Sequence, residues 1–167
     1  MAAAEPSVFS GQDFSLQRDK NRFVLPPQFR KTLKALGGDT LKMTLVKHDR
    51  WDCLRGKAIG QNGRLQEGLR EERALAAQSR EAFDADRKAI DTFTFEEVPF
   101  DGSGRFIMPD TLCAVANIDD QIYFQGGGDF FLIWAPEEMY RMDESWRHHQ
   151  TICRRLAERE LKKAGRA

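Results

Sequence analysis

Two short segments of this chain are near copies of one another: Arg22-Phe-Val-Leu-Pro26 and Arg105-Phe-Ile-Met-Pro109. An internal repeat restricts the fold more than any single motif, because one supersecondary unit must then be used twice. Each copy follows a polar turn, Arg18-Asp19-Lys20-Asn21 in the first and Asp101-Gly102-Ser103-Gly104 in the second. After each proline the apolar spacing becomes helical. Phe29, Leu33 and Leu36 fall at i, i+4 and i+7, and Leu112, Val115 and Ala116 at i, i+3 and i+4, which puts each set on one helical face. Pro27 and Pro109 suit a first helical turn, where a missing N–H costs nothing.

The first helix should end at Gly37-Gly38 through a left-handed cap, and the second near Asn117 to Asp120. Strand sequence follows each: Leu41 to Val46, a turn over Lys47 to Arg50 and Trp51 to Leu54; then Gln121 to Phe124, a glycine turn at 126–128 and Phe130 to Trp134. Alternation, aromatics and the glycines read as two hairpins. The unit is turn, strand, helix, strand, hairpin, strand. Between the copies, a charged segment from Arg64 to Ile90 reads as helix, with Leu65, Leu69, Ala76, Phe83 and Ile90 as its stripe. A last helix should start at Pro136-Glu137-Glu138 and run, with breaks, to Lys163; the ends before Phe9 and after Ala164 are expected to be mobile. The expected division is 9–57 for the first module, 58–92 for the helical insert, 93–137 for the second module and 138–167 for a C-terminal helix and tail.

A 41% hydrophobic share supports a core, and a formal net charge of +0 supplies no global pull toward nucleic acid. Charge is segregated locally instead. Arg18, Lys20, Arg22, Arg30, Lys31 and Lys34 face one acid, Asp19, between Leu16 and Leu36, and acids gather between Glu81 and Asp101. The basic tail from Arg147 to Arg166 reads as a solvated face rather than a DNA contact. Three widely spaced cysteines, Cys53, Cys113 and Cys153, fit a reducing cytosol better than a disulfide framework. The opening Met-Ala-Ala-Ala-Glu-Pro lacks a basic start and an apolar run, so no signal peptide is expected, and no stretch has the length of a membrane span.

Asp101 can accept backbone N–H groups further along its turn, and Gly104 can take φ > 0, leaving Arg105 at the start of a strand on an exposed rim. A paired Asp-x-x-Gly-Arg turn followed by strand, proline and helix resembles the MraZ family, within the wider AbrB/MazE-like group of swapped-hairpin DNA-binding proteins that carry SpoVT-AbrB domains. The resemblance runs from Phe9 to Trp146. It implies a mainly β fold with peripheral helices, in which two pseudo-repeated modules form a double-split β-barrel. It further implies a cytoplasmic, nucleoid-associated regulator that represses its own division and cell-wall operon. Such a protein acts as a closed ring of identical subunits on double-stranded DNA carrying short G-rich direct repeats. The family's DNA-contacting arginine falls on Arg22 and Arg105, and its basic residue two earlier falls on Lys20. The first copy departs from the family pattern, with Arg18 and Asn21 where the family has Asp and Gly. Asn tolerates φ > 0, Asp19 is adjacent, and Arg18 adds a positive charge for a phosphate. The basic surroundings favour the first copy as the one facing DNA. Arg18, Lys20, Arg22 and Arg105 are therefore the expected contacts, with Asp19, Asn21, Asp101 and Gly104 shaping the turns.

Other constellations carry less. His149 and Cys153 lie one helical turn apart with His148 beside them, but further ligands at suitable spacing are not evident, so a surface histidine pair is the stronger reading. Gly126-Gly127-Gly128 lacks the Gly-Lys-Ser/Thr of a phosphate loop. No catalytic order stands out, so no enzyme activity, cofactor, metal or small-molecule substrate is expected. Phe23, Phe106, Phe124, Phe130, Phe131 and Trp134 read as core, and Trp51 and Trp146 as candidates for subunit contacts. The alternative is an antitoxin-like protein whose main partner is a toxin; two modules and a helical C-terminus argue against it.

Overall fold

A computed structural model describes residues 7–79 and 83–166. The order is β1 (Gln12–Leu16), β2 (Arg22–Val24), α1 (Pro27–Leu36), β3 (Lys42–Lys47), β4 (Leu54–Ala58), α2 (Asn62–Ser79), α3 (Ala85–Phe93), β5 (Glu96–Pro99), β6 (Arg105–Ile107), α4 (Asp110–Ala116), β7 (Gln121–Gly126), β8 (Phe131–Trp134), α5 (Pro136–Tyr140) and α6 (Arg147–Lys163). A 3-10 turn over Glu144–Trp146 joins the last two helices. The sequence of β1, β2, α1, β3 and β4 recurs as β5, β6, α4, β7 and β8.

The repeats are interleaved. One antiparallel sheet runs β1-β7-β8-β4-β3-β5, and β2 pairs with β6 in a separate two-stranded ribbon. The first strand of each repeat lies on the third strand of the other, with Phe14 opposite Tyr123 and Val98 opposite Met43. The fourth strands meet in the middle, Leu54 opposite Ile133. The order is thus a palindrome about the β4–β8 pair. Its ladder stops at β1 and β5, so among the described residues no closed barrel forms, and helices hold more of them than strands. The expectation of a mainly β, double-split barrel is corrected to a mixed fold with an open sheet and a ribbon.

The centre of β7, Ile122 to Phe124, and all of β8 are apolar and buried because both faces of the sheet are covered there, which removes simple alternation. Ile122, Phe124, Phe131 and Ile133 join Phe29, Leu33, Met43, Leu45, Phe106 and Met108 in one core. Tyr123, Leu132 and Trp134 face the other way, into a second core with Phe14, Met139, Cys153 and Ala157. Trp51 and Trp146 pack there too, with ring centres 4.8 Å apart, so both serve contacts within the chain. Gly56 pairs with Phe131, whose ring fills the space that a side chain at 56 would need.

Several local expectations shift. α2 ends at Ser79 and α3 begins at Ala85 after an Asp84 cap, so the insert is two helices; Phe83 lies between them and Ile90 is exposed, and no single stripe joins Leu65 to Ile90. The expected strand from Trp51 starts only at Leu54. There the His48 ring accepts the N–H groups of Arg50 and Trp51, and the Lys47 ammonium donates to the carbonyls of His48 and Trp51. These bonds hold 48–53 as a compact loop that strand pairing cannot use. Within the expected Gly37-Gly38 end of α1, Gly38 takes the left-handed conformation with φ 62°, and Asp39 follows it with φ 66°. Pro109 caps α4 from just outside it. The expectation of mobile ends falls in part on residues 1–6 and 167, outside the described residues.

Candidate nucleic-acid interface

Strand pairing sets the geometry of the two repeated turns. In the β2–β6 ribbon, Arg22 lies opposite Ile107, Phe23 opposite Phe106, and Val24 opposite Arg105. With a side-chain period of two, Phe23 and Phe106 point inward, while Arg22, Val24, Arg105 and Ile107 share the outer face. The two phenylalanines are buried with ring centres 6.2 Å apart. At about 1.5–3 kcal/mol for each fully buried phenylalanine, they hold the ribbon against the core. Arg22 and Arg105 are diagonal neighbours on the outer face, a relation that places Cα atoms about 7–8 Å apart. Sequence reasoning treated them as belonging to separate modules and favoured the first as the DNA-facing one; the fold sets them on one surface.

Each turn is tied to the opposite repeat. The Asn21 carbonyl accepts the Met108 N–H at 2.7 Å, and the Gly104 carbonyl accepts the Leu25 N–H at 2.8 Å. The second turn closes as the sequence suggests. Asp101 Oδ1 accepts the N–H groups of Ser103 and Arg105, and its Oδ2 accepts Arg105 Nε at 2.7 Å. Gly104 has φ 85°. The Arg105 N–H, then the Arg105 guanidinium, holds the Asp101 carboxyl below its usual range. An exposed pair like this adds little stability. Its effect is to orient the guanidinium, whose terminal nitrogens make no other ion pair among the described residues.

The first turn reaches the same course by other means. Asn21 takes φ 60°, in the place of Gly104. Gln17 Oε1 accepts the Asn21 N–H at 3.0 Å, whereas in the second copy the equivalent Gly104 N–H bonds the Asp101 main-chain carbonyl at 2.9 Å. The Asp19 carbonyl accepts the Arg22 N–H, while its carboxylate lies 3.7 Å from the Arg22 guanidinium. The Asn21 amide also donates to Asp110 at the start of α4. Arg18 and Lys20 are exposed on the same turn. Gln17 and Asp110 were missed because a glutamine just past a strand and an acid 89 residues away carry no turn signature.

Exchange between the repeats also alters the local charge. α1 belongs to the first repeat, yet it flanks the second turn: Arg30 reaches Gly104, and Arg30, Lys31, Lys34, Asp39 and Gly102 line one shallow groove, three cations to one acid. The acidic neighbourhood of Asp101 along the sequence is therefore offset in space.

The histidine region is occupied by internal contacts. His149 Nδ1 lies 2.9 Å from the Gln125 amide nitrogen, whose oxygen accepts Trp134 Nε1. Cys153 is buried against Tyr140, and burial pushes its thiol up to about 11. Among the described residues no cluster of three potential metal ligands occurs, and no helix is long and apolar enough to cross a membrane.

Fold and site together define a two-repeat protein whose halves exchange strands and share one arginine-bearing ribbon. Its sequence is similar to those of several known proteins. The transcriptional regulator MraZ of Rhodospirillum rubrum is 31% identical over 136 residues, covering 81% of this chain and 84% of that protein. MraZ of Rickettsia felis is 28% identical over 122 residues, 71% of this chain and 74% of that protein. MraZ of Rickettsia bellii is 40% identical over 63 residues, a stretch spanning only 42% of that protein's length. No family model matches the chain. On the Rhodospirillum likeness, the chain belongs to the MraZ family. These relatives are named as transcriptional regulators, not as enzymes.

Proposed function

We propose that this protein is a sequence-specific DNA-binding transcriptional regulator, a repressor of its own division and cell-wall operon acting through short G-rich direct repeats. The observation that carries the reading is the outer face of the β2–β6 ribbon, which presents Arg22 and Arg105 side by side. A two-stranded ribbon fits the major groove of B-DNA, and the arginine fork matches the O6 and N7 acceptors of guanine. Arg18 and Lys20, exposed beside the ribbon, are the phosphate contacts. Asp19, Asn21, Asp101 and Gly104 set the turns that aim them. A closed ring of identical subunits repeats the ribbon in one direction, which suits direct rather than palindromic DNA repeats and adds multivalency. The protein works in the cytoplasm on the nucleoid, without cofactor, metal or small-molecule substrate. Residues 9–57 and 93–137 serve as the two modules, 58–92 as the insert and 138–167 as the C-terminal helix and tail.

The test is binding of the purified protein to its own upstream DNA and to a scrambled duplex across a salt series, with Arg22→Ala and Arg105→Ala alongside. The native duplex should bind more tightly, and each substitution should cost about 1–3 kcal/mol on that duplex while relaxing sequence preference. Equal, steeply salt-dependent binding to both duplexes would reduce the interaction to charge attraction and refute the reading.

A further inference from the structure

The C-terminal helix ends in a defined structure beside the first turn. α6 packs along β1, with the Arg159 guanidinium 3.9 Å from the Asp13 carboxylate. Its last turn is closed by a glycine cap: the Gly165 N–H bonds the Lys162 carbonyl at 3.1 Å, the Arg166 N–H bonds the Leu161 carbonyl at 2.8 Å, and Gly165 has φ 71°. This double bond pattern, with a left-handed glycine, ends a helix and turns the chain sharply away from its axis. It also occupies two carbonyls that would otherwise present partial negative charge to a ligand.

The turn brings Arg166 to a cleft between α6 and the β1–β2 segment. Arg18 stands on one wall, and Lys163 and Arg166 on the other. Glu160 also lines it but is engaged by Lys163 at 3.5 Å and by Arg159 at 3.6 Å. Asp13, the other acid of the cleft, is met by Arg159. Arg18 and Arg166 make no ion pair among the described residues. The cleft therefore holds cations from two distant parts of the chain, while its two carboxylates both face Arg159, outside the lining, and Glu160 shares Lys163 with any ligand.

We infer that the capped end of α6 is a second nucleic-acid contact, in which Lys163 and Arg166, facing Arg18 across the cleft, take backbone phosphates flanking the bases met by the ribbon. The inference rests on the DNA-binding reading above and reverses the sequence-based view of the tail as merely solvated. Contacts of this kind position the duplex and carry no sequence information.

The experiment compares wild type with Lys163→Ala/Arg166→Ala on native and scrambled duplexes from 50 to 200 mM salt. An Arg147→Ala/Arg155→Ala protein removes the same charge from earlier turns of α6, and Lys163→Arg/Arg166→Lys keeps charge at the cleft. Losing two phosphate contacts lowers the log–log salt slope by about 1.8, so wild type should lose about 12-fold more affinity across that range than the cleft variant. The native-to-scrambled ratio should hold, the charge-keeping protein should behave as wild type, and the Arg147/Arg155 protein should retain the wild-type slope. An unchanged slope in the cleft variant, or an equal drop in the Arg147/Arg155 protein, would overturn the inference while leaving ribbon recognition intact. Failure of wild type to discriminate the duplexes would instead remove the reading on which it rests.

Discussion

Replacing His48 with Asn should remove a defined part of the protein's acid sensitivity. The His48 side chain is almost wholly buried, stacked on Trp51 with ring centres 4.5 Å apart. Its Nδ1 accepts two backbone N–H groups, while Nε2 faces the Arg55 guanidinium at 2.9 Å. Protonation would put an N–H at Nδ1 against the Arg50 and Trp51 N–H groups and a positive charge beside the Arg55 guanidinium. Burial, followed by the charge on Arg55, lowers its pKa from 6.5 to about 4. A folded pKa below the unfolded one means that the unfolded chain takes up the proton first. Stability is then whole above pH 6.5 and falls as pH drops through that value toward 4. At about 1.4 kcal/mol per pH unit, the loss is about 2.5 kcal/mol by pH 4.5 and about 3 kcal/mol when complete. Asp49 acts lower in pH. Burial works to raise its pKa, but the Lys88 hydrogen bond and charge hold it below 3.8, so its contribution is lost only under that value. Asn is the informative replacement, because its Oδ1 can accept the same loop N–H groups and does not titrate. Urea unfolding of both proteins at pH 7.0 and 4.5, at one protein concentration, gives the comparison. Loss of the Trp51 stack lowers the variant at both pH values, so the decisive quantity is the change between them. Parallel losses in the two proteins would refute the reasoning.

Two further outcomes follow from local geometry. Gly104→Ala should destabilise the fold by about 1–3 kcal/mol, because φ is 85° and a Cβ would stand 3.1 Å from the Leu25 carbonyl oxygen; Gly102→Ala, with open space around it, should change urea unfolding little, and equal effects would refute the distinction. Burial pushes the thiols of Cys53 and Cys153 up to about 12 and about 11, and raises half-buried Cys113 as well. Native protein with iodoacetamide at pH 8 should therefore gain at most one adduct, on Cys113, against three in urea; mass spectrometry showing rapid triple labelling would contradict this.

The repeated units were legible because their signals are local. Arg-Phe-aliphatic-aliphatic-Pro marks a short strand running into a helix, and the glycines after Phe124 mark a hairpin. The pairing partners were not legible, since nothing local in Phe14 or Val98 says that each strand crosses to the other repeat. The same exchange concealed the juxtaposition of Arg22 with Arg105 and of Arg30 with Gly104. The late start of β4 escaped notice because Trp51 and Cys53 have strand-forming character that the His48 and Lys47 bonds override. The break between α2 and α3 was hidden by apolar spacing that continues across it. The cap at Gly165 is local, but its consequence for Arg166 depends on α6 lying along β1, a tertiary fact.

Strand exchange also sets an order of events at the ribosome. β1 is made almost first, but its partner β7 ends at Gly126, so the nascent chain must carry an unpaired edge until three quarters of it has emerged. β3 and β4 can close as a local hairpin early, yet β5 must follow the entire insert before it can cover β3. Long-range pairings of this kind slow folding and leave sticky edges exposed. Neither repeat made alone could complete its half of the sheet, whereas two separately expressed halves could supply each other's missing strands.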